Sequence, residues 1–152
     1  MVRGSWFVIR GEKMQDFTKL RVWKDSLNLT KEIYRLSDSF PKSEMYGMVS
    51  QIRRASVSIM SNISEGAGLD SAVNFCRFLK ISYGSANEVK SLLWIAKELN
   101  FISENDRIAI DKKVNDIQKM LKGLILKVSN GSEFNSSRTN HEPRTTNHDL
   151  QQ

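Results

Sequence analysis

Between Met45 and Glu65 the apolar residues return at alternating intervals of three and four. Met45, Met48, Ile52, Ala55, Ile59 and Asn62 form one line, and Val49, Ser56 and Ile63 widen it. Such spacing belongs to the inward seam of an amphipathic helix. A second line at the same spacing, Arg54, Ser58, Ser61 and Glu65, is polar throughout. A lone helix with one apolar seam is marginal in water, so the rest of the chain must supply partners.

Three further segments carry that periodicity. Leu20, Trp23, Leu27 and Tyr34 make one stripe, and Val22, Leu29, Ile33 and Leu36 an adjacent one, which predicts a first helix over about Phe17 to Asp38 with contacts on two sides. Ser39-Phe40-Pro41 breaks it, because proline disfavours helical geometry in the residue before it and suits the first turn of a new helix. Ser43 or Ser39 is expected to cap helix two, with Glu44 in its first turn. That helix is expected to run to Ser64 or Glu65 and to close at Gly66-Ala67-Gly68 through a left-handed glycine.

Asp70 or Ser71 then caps helix three, whose core line is Phe75, Phe78, Leu79, Ser82, Ala86, Val89, Leu93 and Ala96, flanked by Leu92 and Leu99. After a break from Asn100 to Asn105, Ser103 and Asp106 make a capping-box-like start for helix four. Ile110, Val114, Ile117, Leu121, Leu124 and Val128 form its stripe, and Asn130-Gly131 is the expected stop. Four such helices with short links predict an all-α, antiparallel up-and-down four-helix bundle over residues 14–130. Residues 1–13 read as an unstructured N-terminal extension. Residues 131–152, with the near-repeat RTNHEP/RTTNHD, read as a disordered low-complexity tail.

A chain of 152 residues accommodates one such core. No apolar run is long enough to span a bilayer, Trp6 to Ile9 is too short for a secretory signal, and the single cysteine, Cys76, fits a reducing compartment and core packing. A cytoplasmic protein is the expectation. The net charge of +6 concentrates between residues 14 and 130, where 18 basic residues face 13 acidic ones. A basic surface of this kind suits a nucleic-acid partner or an acidic protein.

The catalytic signatures are missing. There is no glycine-rich loop after a strand, no Cys or His pair at metal spacing before residue 131, and no Glu-x-x-His pair; His141 and His148 lie in the low-complexity tail. The chain therefore reads as non-enzymatic, without metal or cofactor.

Polar residues inside helices two and three ask for an explanation. If the two helices pair about a turn at residues 66–70, positions whose numbers sum to about 137 lie opposite each other. Arg53 and Arg54 then face Tyr83-Gly84-Ser85, with Glu88 within a turn, and an ion pair is expected. Gly84, costing about 1 kcal/mol inside a helix, calls for a close approach of the helix-two backbone. Arg54, Ser58, Asn62, Glu65, Ser82, Ser85 and Glu88 are the expected structural polar network. Arg53, Arg54, Lys112, Lys113, Lys119 and Lys122 are the candidate nucleic-acid-binding residues. On helix four these lysines and Lys127 alternate with Asp111 and Asp116 as a solvated face would.

The segments FTKLRVWKDSLNLTKEIY, FPKSEMYGMVSQIRRASVSIMSNISEG and FLKISYGSANEVKSLL resemble the bacterial four-helix-bundle family labelled ribosomal protein S23, encoded by intervening sequences in 23S ribosomal RNA genes. The resemblance covers about Phe17 to Val128. It implies an up-and-down bundle. Related accessory proteins of diversity-generating retroelements assemble as pentameric, basic barrels that engage nucleic acid and a reverse transcriptase, so the resemblance implies a homo-oligomer, with RNA or DNA and a protein such as a reverse transcriptase as partners. Surplus apolar surface on helix one and at Trp94 and Ile95 fits contacts between subunits. The resulting expectation is an oligomeric bundle that binds structured RNA, and the alternative is a protein-interaction or scaffold module without direct nucleic-acid binding.

Overall fold

The computed structural model describes residues 16–139, with side chains through residue 131. Four helices, α1 (Arg21–Ser37), α2 (Met48–Ala67), α3 (Ala72–Glu98) and α4 (Glu104–Thr139), make an antiparallel bundle, and no strand occurs among the described residues. Residues 1–15, which include the expected N-terminal extension 1–13, and residues 140–152 lie outside the described part.

Helix one starts later than its periodicity suggests. Asp16 caps a 3-10 turn at Phe17–Lys19 by accepting from the Thr18 amide, and Leu20 is extended before α1 begins. The offset lets Phe17 fold back on Trp23, ring centroids 5.1 Å apart, and cover one end of the bundle. Helix two also starts later. Lys42–Glu44 form a separate 3-10 turn, and the Glu44 carboxylate, rather than Ser43 or Ser39, accepts from the Met48 amide. Ser39 closes α1 instead, donating to the Leu36 carbonyl. Met45 consequently leaves the seam and is 48% exposed.

At the other end of α2 the helix continues through Gly66 to Ala67, and no described glycine has positive φ. Gly66 serves close packing. A Cβ there would stand 2.7 Å from Phe78 Cβ and 2.9 Å from a Phe75 ring carbon, so only hydrogen lets α3 come this near. Gly84, expected to provide such an approach, is exposed, with nothing within 4 Å of where a Cβ would sit. The left-handed residue is Asn100 (φ 59°), which ends α3 while the Phe101 amide reaches back to the Ala96 carbonyl. Ser71, of the two candidates, caps α3, and Ser103 with Asp106 forms the capping box of α4. The Asn130-Gly131 pair does not stop α4, which runs on to Thr139. Val128 is still buried one turn earlier, and glycine ends a helix only where the chain turns left-handed.

The core is built from Leu29, Ile33, Ile52, Ile59, Ile63, Leu79, Val89, Leu93, Val114, Ile117, Leu121 and Val128, all essentially inaccessible to solvent. Phe40 and Phe101, from the first and third connections, meet at 5.6 Å and close the end opposite Phe17. Burying a side chain of this size contributes about 1.5–3 kcal/mol. Hydroxyls inside the core are satisfied by backbone carbonyls. Ser26 donates to Val22, Thr30 to Ser26 and Ser56, and Ser82 across the α2–α3 contact to Ile59 at 2.8 Å.

Candidate nucleic-acid interface

The register between α2 and α3 decides where the polar residues point. Ser58 meets Ser85 at 2.8 Å, so facing positions sum to 143 instead of 137. The shift follows from α2 ending at Ala67 and from Gly66 seating against Phe75 and Phe78, which move the turn to residues 68–71. Asn62 donates to the Ser58 carbonyl and hydroxyl, completing a small hydrogen-bonded group with Ser58 and Ser85. Ser82 lies deeper, on the Ile59 carbonyl. Arg54, Glu65 and Glu88 take no part in this group; all three are exposed and have no ion-pair partner among the described residues.

The expected pair between Arg53 or Arg54 and Glu88 is absent. Arg53 turns the other way, toward α1. Its guanidinium donates to Ser37 Oγ at 2.8 Å, to the Tyr34 carbonyl and to Asp38 at 2.6 Å, and it stacks over the Tyr34 ring at 4.6 Å. One position along a helix rotates a side chain by about 100°, enough to send Arg53 to the α1 side and Arg54 to solvent.

The lysines of α4 divide similarly. Lys113 pairs with Glu32 of α1. Lys112 and Lys119 are exposed without an acidic partner among the described residues, and Lys122 lies 5.4 Å from the centre of the half-buried Tyr83 ring. Between α3 and α4, Lys90 bonds Asn115 and approaches Asp111 at 3.7 Å, Gln118 donates to Asn87 at 2.7 Å, and Cys76 Sγ lies 3.4 Å from Ser129 Oγ. These contacts place residues 72–87 of α3 against residues 117–131 of α4.

Neither stretch contains an acidic residue, whereas together they carry Arg77, Lys80, Lys119, Lys122 and Lys127. None of the five has an ion-pair partner among the described residues. Arg77 stacks at 5.2 Å over Phe78 and, with Lys80, lines a shallow pocket beside Ala72, Val73, Cys76 and Ser129. Arg77 and Lys80 were not among the sequence candidates. The signal was there, as two acid-free runs in separate helices, but it acquires meaning only once the register brings the runs together. At the start of α4 the charges pair instead: Glu104 accepts two bonds from Arg107, which stacks at 3.9 Å over Trp94. That hydrogen bonding holds the Glu104 carboxyl below its ordinary range and keeps Arg107 charged.

The resulting face has Lys80, Lys119 and Lys122 along the α3–α4 groove with Arg77 at its rim. A phenol lies beneath Lys122, and the exposed Asn87 amide is held by the buried Gln118. Lys127, five residues beyond Lys122, points about 140° away from it. Chemically the face suits a polyanion: guanidinium and ammonium groups for phosphates and an amide for sugar or base edges. Among the described residues no group of three or more His, Cys, Asp or Glu is placed to hold a metal, and no helix is long and apolar enough to cross a membrane.

Comparison with known proteins gives a family. A solved structure from Bacteroides thetaiotaomicron, a protein of unknown function from the S23 ribosomal protein family, is similar over 68% of this chain and 97% of its own, with 27% identity and a TM-score of 0.64. No curated protein is a significant match. The model of the 23S rRNA-intervening sequence proteins matches residues 18–123, which contain α1, α2, α3 and the first half of α4. The chain belongs to the 23S rRNA-intervening sequence protein family.

Proposed function

We propose that this protein is a non-enzymatic, self-associating helical bundle that binds structured RNA through the acid-free face of α3 and α4. The observation that carries this reading is the convergence of Arg77, Lys80, Lys119 and Lys122 without a carboxylate in either stretch. Arg53 and Lys113 drop out as primary contacts, because their charges are already matched by Asp38 and Glu32. Lys112 and Lys127 remain peripheral cations. Binding is dominated by phosphate neutralisation and gains counterion-release free energy, so contact with four phosphates implies a slope of log K against log salt of about −3 to −4.

The test uses the full chain freed of nucleic acid and a fluorescently labelled RNA hairpin, titrated by anisotropy at several salt concentrations. The double variant Lys80→Glu/Lys122→Glu should bind at least about tenfold more weakly and lose about two units of salt slope, whereas Lys113→Glu should change little. Salt-independent binding, or equal loss in both variants, overturns the assignment.

A second reading, a protein-interaction or scaffold module without direct nucleic-acid binding, is favoured by the groove on α1 and α2. Tyr34, Met45, Val49 and Val57 line it together with Tyr46, which is 96% exposed. No measurable RNA affinity at low salt selects that reading.

A further inference from the structure

The face formed by α2 and α3, adjoining the cationic stretch at Arg77, holds two opposite charges that the fold leaves unused. Arg54 and Glu88 stand at nearly the same level in the register set by Ser58 and Ser85. Both are exposed, and neither has a partner among the described residues. Around them the helices present apolar side chains that no internal contact requires. On α3, Ile81 and Ile95 flank Glu88 at seven-residue spacing and are 45% and 46% exposed; on α2, Val57 lies one turn from Arg54 and is 39% exposed. Ser50 and Ser61 on α2 and Ser91 on α3 continue the two lines with small residues.

Seven-residue repetition on an exposed helix face is the pattern of a helix that packs on another helix. The spacing here is apolar, acidic, apolar on α3 and basic, apolar on α2. Such a surface carries its own complement. Laying the α2 line of one molecule on the α3 line of another covers Val57, Ile81 and Ile95 and brings the cation to the anion where water is excluded and their attraction strengthens.

We propose that this face docks a second copy of this chain, with Arg54 of one copy paired to Glu88 of the other. The inference rests on the self-association part of the proposed function and names its surface. A two-fold axis running along the α2–α3 groove forms the pair twice, and a ring forms it once per contact. In both arrangements Lys80, Lys119 and Lys122 stay open on the α4 side of α3, with Arg77, five turns from Ile95 on the same line of the helix, at the rim of the contact. Assembly then multiplies the cationic faces available to one polyanion.

The experiment is multi-angle light scattering with sedimentation velocity on the full chain, freed of nucleic acid, over a range of concentrations. The wild-type protein should show a mass that is a multiple of 17.4 kDa. Arg54→Glu and Glu88→Arg should each weaken association at least about tenfold, because each sets like charges against one another. The double exchange Arg54→Glu/Glu88→Arg should restore the wild-type mass, and mixing the two single variants should restore association as well. Far-UV circular dichroism verifies that every variant is folded. A monomeric wild type, single variants that keep the wild-type mass, or a double variant that stays dissociated overturns the proposal. The measurement contains no RNA, so its failure leaves the Lys80 and Lys122 result standing, and failure of RNA binding leaves the mass result standing.

Discussion

Gly66→Ala, in the last turn of α2, and Gly84→Ala, in the middle of α3, should move stability in opposite directions. The common term is propensity: alanine is favoured over glycine inside a helix by about 1 kcal/mol. At Gly84 that is the whole effect, since nothing lies within 4 Å of the new methyl group. At Gly66 the methyl group meets Phe78 Cβ at 2.7 Å and a Phe75 ring carbon at 2.9 Å. Phe78 Cβ is fixed to the α3 backbone, so relief requires α2 and α3 to separate, and overpacking of this kind costs about 1–3 kcal/mol. Because propensity cancels in the comparison, the gap between the variants measures the close approach alone, about 2 kcal/mol. With a urea slope of about 2 kcal/mol/M for a domain of this size, the midpoints should differ by about 1 M. Both substitutions belong in the Arg54→Glu background, so that association adds no concentration-dependent stability. Equal stabilisation by the two would refute the reasoning and show that the α2–α3 spacing tolerates a methyl group at Gly66.

Arg53→Ala should lower stability by about 1–2 kcal/mol in urea melts, because it removes the guanidinium bonds to the Ser37 hydroxyl, the Tyr34 carbonyl and Asp38, leaving Ser37 only its own bond to the Tyr34 carbonyl, while Arg54→Ala should stay within about 0.5 kcal/mol when measured on dissociated protein. Ser58→Ala should cost about 1 kcal/mol by removing the hydroxyl that Asn62 and Ser85 share; Ser85→Ala should cost no more, since Asn62 then keeps both the Ser58 hydroxyl and the Ser58 carbonyl. The Glu104 carboxyl lies below its ordinary range because Arg107 donates to it, so its folded pKa is lower than its unfolded one. Its contribution is therefore complete above the unfolded pKa and fades as pH falls through the folded pKa. Glu104→Gln should flatten the acid limb of a plot of urea midpoint against pH, and an unchanged limb would show that the pair contributes nothing.

Helix existence was legible because each helix repeats its apolar residues over several turns, and a repeat of that length has few other solutions. Ser71 and Ser103 as caps were legible for a local reason, since the hydroxyl and the amides it serves lie within three residues. Two boundaries differ from the periodicity: Met45 leaves the seam because a local cap from Glu44 starts α2 later, and Gly66 continues the helix because it packs on α3, a contact outside its own segment. In the candidate site, Lys119 and Lys122 are candidates from their own helix alone, whereas Arg77 and Lys80 become candidates only through the packing of α3 on α4. Arg53 and Arg54 were indistinguishable in sequence, and structure separated them through Asp38 and Tyr34.

The seam from Met48 to Ile63 and its counterparts determine an all-α bundle by themselves, because periodic burial is a property of each segment alone. What only tertiary structure decided is register. The contact of Gly66 with Phe75 and Phe78 sets the turn at residues 68–71, and that shift places Arg54 beside Glu88 on an open face. The packing of α3 on α4 likewise joins two acid-free stretches into one cationic surface. Side-chain volume at a few contact points fixes how far one helix slides along another, and no pattern within a single helix contains that quantity.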